Sequence, residues 1–179
     1  VDVWKLIQLA NQHPRVNILN PGPGVGGHCI AVDPWFIVNS APNEAKIIKK
    51  AREINDSKPA YVLEKVKEAV KMIGKDPSKI NISCFGIAFK PDIDDLRESP
   101  SFEISKKISK MGFKEQYIVE PNIKELPSSL KSKKVSLSDF KKAIKKGDIL
   151  LFLVKHKSFN MPDKNLTKNK ILINPVGLQ

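Results

Sequence analysis

A chain of 179 residues with 41% hydrophobic content is long enough to bury the core of one good-sized domain plus an additional element. Two cysteines make no disulfide framework and no apolar run has the length of a membrane span, so the expectation is a reduced, cytoplasmic protein. The net charge of +12 suggests an anionic partner. Its lysines from Lys131 to Lys146, however, flank an apolar stripe of Leu137, Phe140 and Ile144 with no aromatic residues interleaved, which argues for a solvated helix face and against nucleic acid.

In chain order, Val1, Trp4, Leu6, Ile7 and Ala10 follow helical spacing with no capping residue read before them. The chain is therefore expected to open in mid-helix, as the C-terminal part of a longer protein. His13-Pro14 ends that helix, because the residue before proline is pushed out of helical geometry. A glycine- and proline-rich loop, Pro21 to Gly27, follows, and Val16 to Leu19 before it has strand character. From Asn43 to Met72 the apolar spacing predicts either a kinked helix or two helices. Pro59 is the interruption, Asp56 or Ser57 caps the second half, and Gly74 is the stop. From Ile80 the texture changes. Ile80 to Ala88 reads as a buried strand, Ser99-Pro100 opens a helix closed by Gly112, and Tyr117 to Val119 is a strand. Ser138 to Lys146 is then a helix, with Ile149 to Val154 and Ile171 to Ile173 as further strands. Strands alternating with helices imply βαβ units on a parallel sheet. The division expected is a helical piece over residues 1–78 and an α/β domain over 79–179.

Gly22, Gly24 and Gly27 satisfy the spacing of a dinucleotide fingerprint, but such a loop must run straight into a helix, and here Cys29 to Val32 lead to Asp33-Pro34. The glycines instead suit a close approach of backbone to a substrate. Cys29 stands directly after them, with His28 beside it and Asp33 four residues on. A free cysteine is more often a small buried hydrophobe, yet a run of glycines and a nearby carboxylate favour a nucleophile, provided something generates the thiolate. Cys84, in mid-strand, reads as a core residue. Neither cysteine belongs to a paired ligand motif, so no metal site is expected. Arg15 is either a surface cation beside a helix stop or an anion contact. The run Phe89 to Pro100 follows the first strand of the α/β domain, where ligands of such sheets bind. Lys90 and Arg97 there can meet phosphate, or can pair internally with Asp92, Asp94, Asp95 and Glu98.

Three segments, His13 to Ile18, the glycine–cysteine loop and Phe89 to Pro100, resemble the UDP-glucose/GDP-mannose dehydrogenase family. The resemblance implies the end of a central helical dimerisation segment followed by a Rossmann-like, parallel-sheet UDP-sugar-binding domain. It implies a four-electron, NAD-dependent oxidation of a sugar C6 alcohol to a carboxylate through a thiohemiacetal and a thioester. Cys29 matches the nucleophile and Asp33 an acid that helps place the hydrolytic water. Gly26, Phe89 and Lys90 match substrate contacts, and His13 and Arg15 match contacts made across a homodimer. Arg97 matches a residue that reaches NAD. The wording His28 to Phe36 resembles members acting on UDP-N-acetyl-D-mannosamine, and Ala31-Val32-Asp33 stands where many UDP-glucose enzymes have Pro-Lys-Asp. UDP-N-acetylglucosamine is the alternative substrate, and a non-catalytic nucleotide-binding module the alternative role. The family's catalytic lysine and asparagine and its NAD fingerprint find no match here, so these residues alone are expected to be inactive.

Overall fold

The computed structural model describes residues 1–178. Three helices come first: α1 (Val3–Ala10), α2 (Asp33–Ser40) and α3 (Lys46–Ile73). A five-stranded sheet then alternates with shorter helices, as β1 (Asn81–Phe85), α4 (Pro100–Ile108), β2 (Glu115–Val119), β3 (Val135–Leu137), α5 (Phe140–Lys146), β4 (Ile149–Phe152), α6 (Lys164–Thr167) and β5 (Ile171–Ile173). The strands run in the order β3-β2-β1-β4-β5 and every pair is parallel, so the chain is of the α/β class.

The central strands explain the arrangement. All four residues of β4, and Ile82 to Phe85 of β1, are buried, as required of parallel strands covered on both faces. One face packs Ile82, Cys84 and Leu151 against Val62, Val66 and Ala69 of α3 and Ile104 and Ile108 of α4. The other face is aromatic, with Phe85 stacked on Phe152 at 4.5 Å between ring centroids. Order reverses between β1 and β4, the topological switch point at which such sheets open a crevice beyond the strands' carboxyl ends.

Several expectations change. The carboxylate of Asp2 caps α1 by accepting from the Trp4 and Lys5 amides, so a capping residue does precede this helix. Residues 16–19 form no strand and are exposed. A helix does follow the cysteine loop, since Pro34 stands at the start of α2, where the missing N–H costs nothing. α3 is one helix through Pro59. Asp56 is paired with Arg52, and Ser57 Oγ donates to the Ile54 carbonyl (2.7 Å), so neither acts as an internal cap. Leu137 belongs to β3 and not to a helix, and Asp139 caps α5. β1 ends at Phe85, because Gly86 takes φ +85 and turns the chain over Val154. Gly74 closes α3 in the left-handed conformation expected of it.

Candidate functional site

The cysteine loop is held by α3 and by the segment before α4. Asn55 of α3 pairs its side-chain amide with the backbone of Val25, accepting from the amide (2.8 Å) and donating to the carbonyl (3.3 Å). Arg52, buried on α3, forms an ion pair with Asp56 (2.8 Å) and reaches the Ile30 carbonyl (3.5 Å). Between those two anchors, the Gly27 amide donates to the Arg97 carbonyl (3.2 Å). Gly26 faces the Glu98 carbonyl and the Pro100 ring, which leave no room for a side chain, and Gly27, at φ +94, lies under the Phe89 ring. The loop is therefore fastened on both sides of Cys29.

Cys29 itself is exposed, and its carbonyl accepts from the Val32 (2.9 Å) and Asp33 (2.8 Å) amides in the turn that leads into α2. Asp33 is the first residue of that helix, with an exposed side chain at the favourable end of the helix dipole. Arg97 is tied to this loop by its backbone, whose carbonyl accepts from the Gly27 amide two residues before Cys29. Its guanidinium grips Asp95, with Nε at 3.0 Å from both carboxylate oxygens and Nη2 at 2.6 Å from Oδ2. That grip holds the Asp95 carboxyl at about 2, well below its ordinary value, and raises the Arg97 guanidinium in turn. Glu98 and Asp92, at the two ends of this segment, have φ +47 and +62, a strained backbone for residues with side chains.

Phe89 and Lys90 take a second position. They line a cavity of about 310 Å³ beyond the β1 and β4 ends, together with Asn20, Pro21, Lys155 and Val176. Lys90 Nζ stands 5.6 Å from the Phe89 ring centre, and Lys155 Nζ donates to the Gly177 carbonyl (3.1 Å). Two ammonium groups beside apolar walls at a switch point suit a phosphorylated ligand. A larger hollow of about 660 Å³ lies behind the cysteine loop between α3 and α4, lined by Trp35, Arg52, Asp56, Glu98 and Lys107 among others.

The structure thus ties the cysteine loop to Arg97 through the Gly27 amide and puts Phe89 and Lys90 in the crevice, with the Phe89 ring over Gly27 joining the two places. His13 and Arg15 lie in the exposed stretch after α1, where the Arg15 amide donates to His13 Nδ1 (3.2 Å), and they line neither cavity. Sequence reasoning missed Asn20 and Lys155. The signal for Lys155 was a cation directly after the buried run Ile149 to Val154. Among the described residues no group of three acidic, His or Cys side chains could hold a metal ion, and no helix is long and apolar enough to cross a membrane. Nor do those residues form a dinucleotide cradle. No strand leads into the glycine loop, and the amides that follow β1, on Ile87 and Ala88, donate to Glu120.

Two family profiles match. Residues 1–57 match the UDP-glucose/GDP-mannose dehydrogenase family's central domain, and residues 83–176 match its UDP binding domain. A UDP-N-acetyl-D-mannosamine dehydrogenase of Campylobacter jejuni is 54% identical over 89% of this chain and 38% of its own length. An NDP-N-acetyl-D-galactosaminuronic acid dehydrogenase of Ralstonia solanacearum is 49% identical over 99% of this chain and 41% of its own. Among solved structures, a UDP-D-ManNAc dehydrogenase from Pyrococcus horikoshii superposes with a TM-score of 0.78 at 30% identity, over 99% of this chain and 43% of that one. The chain thus spans about two fifths of the length of these relatives.

Proposed function

The chain belongs to the UDP-glucose/GDP-mannose dehydrogenase family, and we propose that the intact protein is an NAD-dependent 6-dehydrogenase converting UDP-N-acetyl-D-mannosamine to UDP-N-acetyl-D-mannosaminuronate. Residues 1–78 are assigned to the end of the central helical segment with the nucleophile loop, and residues 79–179 to the UDP-binding domain. The observation that carries this reading is the crevice at the β1–β4 switch point, with Phe89, Lys90 and Lys155 in its wall and a clamped, exposed Cys29 one ring away.

In this mechanism Lys90 and Lys155 neutralise the diphosphate, and Phe89 fixes the sugar end of the ligand against the backbone at Gly26. NAD, when bound, supplies the hydride acceptor for both oxidations. Arg97 fits a contact at its edge, because its guanidinium is exposed and held in place by Asp95. After the first oxidation the Cys29 thiolate adds to C6 of the aldehyde. A C–S bond forms, and the carbonyl oxygen takes the electron pair and then a proton. Oxidation of that thiohemiacetal leaves a thioester on Cys29. Asp33 orients the water that attacks it, and the C–S bond breaks to release the carboxylate and restore the thiolate.

His13 and Arg15 are assigned to the active site of a partner copy in a homodimer. Support for that assembly comes from α3, where Ile47, Ile54 and Tyr61 recur every seven residues and are all more than half exposed. The Ralstonia relative favours a second reading, in which the substrate has the galacto configuration.

Calorimetric titration of UDP into the intact protein tests the binding half. UDP should bind, and Lys90→Ala should weaken it roughly tenfold, the loss of one charge-assisted contact. Absence of UDP binding, or an unchanged affinity in Lys90→Ala, would sink the reading. Product analysis with manno and galacto substrates then separates the two configurations.

A further inference from the structure

The crevice wall between Gly86 and Asp92 has no helix or strand of its own, and it is held by a buried hydrogen-bonded couple from two other strand ends. Glu120, directly after β2, is 3% exposed and His156, four residues after β4, is 1% exposed. Glu120 Oε2 accepts from the Ile87 amide (2.8 Å), the Ala88 amide (3.0 Å) and His156 Nε2 (3.2 Å). On the far side of the imidazole, Nδ1 accepts from the Asp92 amide (3.0 Å). That bond places the ring's single proton on Nε2, facing the carboxylate. Burial would push the Glu120 carboxyl up, but the hydrogen bonds from His156 and the Ile87 amide outweigh it and bring the group below its ordinary value.

Placement makes this more than an ordinary core contact. Three amides of one turn converge on the couple, and the residues they bracket, Phe89 to Pro91, are those that line the crevice. Asp92 has the strained φ of +62 and is held from both sides, its amide on His156 and its carboxylate accepting from the Lys157 amide (3.0 Å). An acid at the end of the second strand is also where dinucleotide-binding sheets keep their ribose ligand. Here it is turned inward and saturated, so it contacts no ribose and serves the turn instead. A buried carboxylate costs more than an apolar residue of the same volume, which makes a role in specifying geometry the reason to keep one.

We propose that Glu120 and His156 are positioning residues for the sugar nucleotide, fixing the Gly86–Asp92 turn so that Phe89 and Lys90 present themselves to the crevice. The role rests on the crevice being the UDP site. Glu120→Ala leaves the Ile87 amide, the Ala88 amide and His156 Nε2–H, which all donate to one carboxylate oxygen, without an acceptor. His156→Ala removes the link to Asp92. His156→Gln retains one donor and one acceptor at the spacing of the ring nitrogens.

The test is UDP titration and steady-state kinetics on the intact protein, with circular dichroism melts of each variant. Glu120→Ala and His156→Ala should each weaken UDP roughly tenfold or more and raise KM for the sugar nucleotide while KM for NAD stays put. His156→Gln should recover most of the loss, which a role in stability alone would not predict. Wild-type binding of UDP with unchanged affinity in both disruptive variants overturns the positioning role alone. Failure of all three variants to fold overturns it too, by making the couple a stability element. No UDP binding by the wild type removes the crevice assignment and this role with it.

Discussion

Gly26→Ala puts the packing of the cysteine loop to a direct test. A Cβ at that position would overlap the Glu98 carbonyl oxygen and stand 2.8 Å from Pro100 Cδ and 3.0 Å from the Glu98 carbonyl carbon. None of these neighbours can swing aside. The Pro100 ring starts α4, and Ser99 before it both caps that helix, accepting from the Phe102 amide (3.1 Å), and donates to the Ile87 carbonyl (2.7 Å). The loop must therefore lift by about 1 Å, against its anchors at Asn55 and Arg52. Overpacking of this kind costs about 1–3 kcal/mol, which for a chain of this size lowers Tm by roughly 3–10 °C. A shift of about 1 Å at Cys29 should also reduce turnover about 100-fold. Gly22→Ala is the internal control, since its added Cβ meets nothing within 4 Å and its φ is not positive. That variant should match or slightly exceed wild-type stability. The assay is thermal unfolding of both variants by circular dichroism, with turnover measured in the intact protein. A Gly26→Ala variant within about 1 °C of wild type and within about twofold in turnover would refute the packing argument.

The two cysteines should differ sharply in reactivity. Burial pushes the Cys84 thiol up to about 12, while Cys29 is exposed, so iodoacetamide on the folded protein should alkylate Cys29 and spare Cys84 by mass spectrometry. Comparable labelling of Cys84 would contradict the burial. The Arg97–Asp95 grip should be insensitive to pH over the working range. Because the Asp95 carboxyl is depressed from 3.8 to about 2, the contact is fully present above the ordinary value and is lost only as pH falls through the folded one. The Arg97 Nε resonance should accordingly stay fixed from about pH 5 to 8, and a carboxylate titration inside that window would count against the pairing.

The sheet was legible in the sequence because its central strands are continuous apolar runs, Ile82 to Phe85 and Ile149 to Phe152, separated by helical spacing and by the Ser99-Pro100 start signal. β3 was hidden because its Leu137 falls at helical spacing from Phe140 and Ile144. Pro59 left a kinked helix and two helices both open, and the structure has one. A proline inside a helix costs about 3 kcal/mol locally, but Val62, Val66 and Ala69 beyond it bury a whole face on the sheet, and tertiary packing decides the outcome. The chemistry of the cysteine loop was readable because its residues are consecutive. Lys155 was not, since it meets Phe89 and Lys90 only once β4 is known to lie beside β1, and Asn20 was not, since it reaches them only through the folded path of the loop before Gly24. The Glu120–His156 couple joins positions 36 apart for the same reason.

The central claim is that Cys29 carries the second oxidation of an N-acetylated UDP-sugar in the intact protein. The most direct measurement is the NADH yield per UDP-N-acetyl-D-mannosamine consumed, for wild type and Cys29→Ser. The account predicts two NADH and one uronate per sugar for wild type, and no uronate from Cys29→Ser. A Cys29→Ser variant that still delivers uronate with two NADH at the wild-type rate would contradict it.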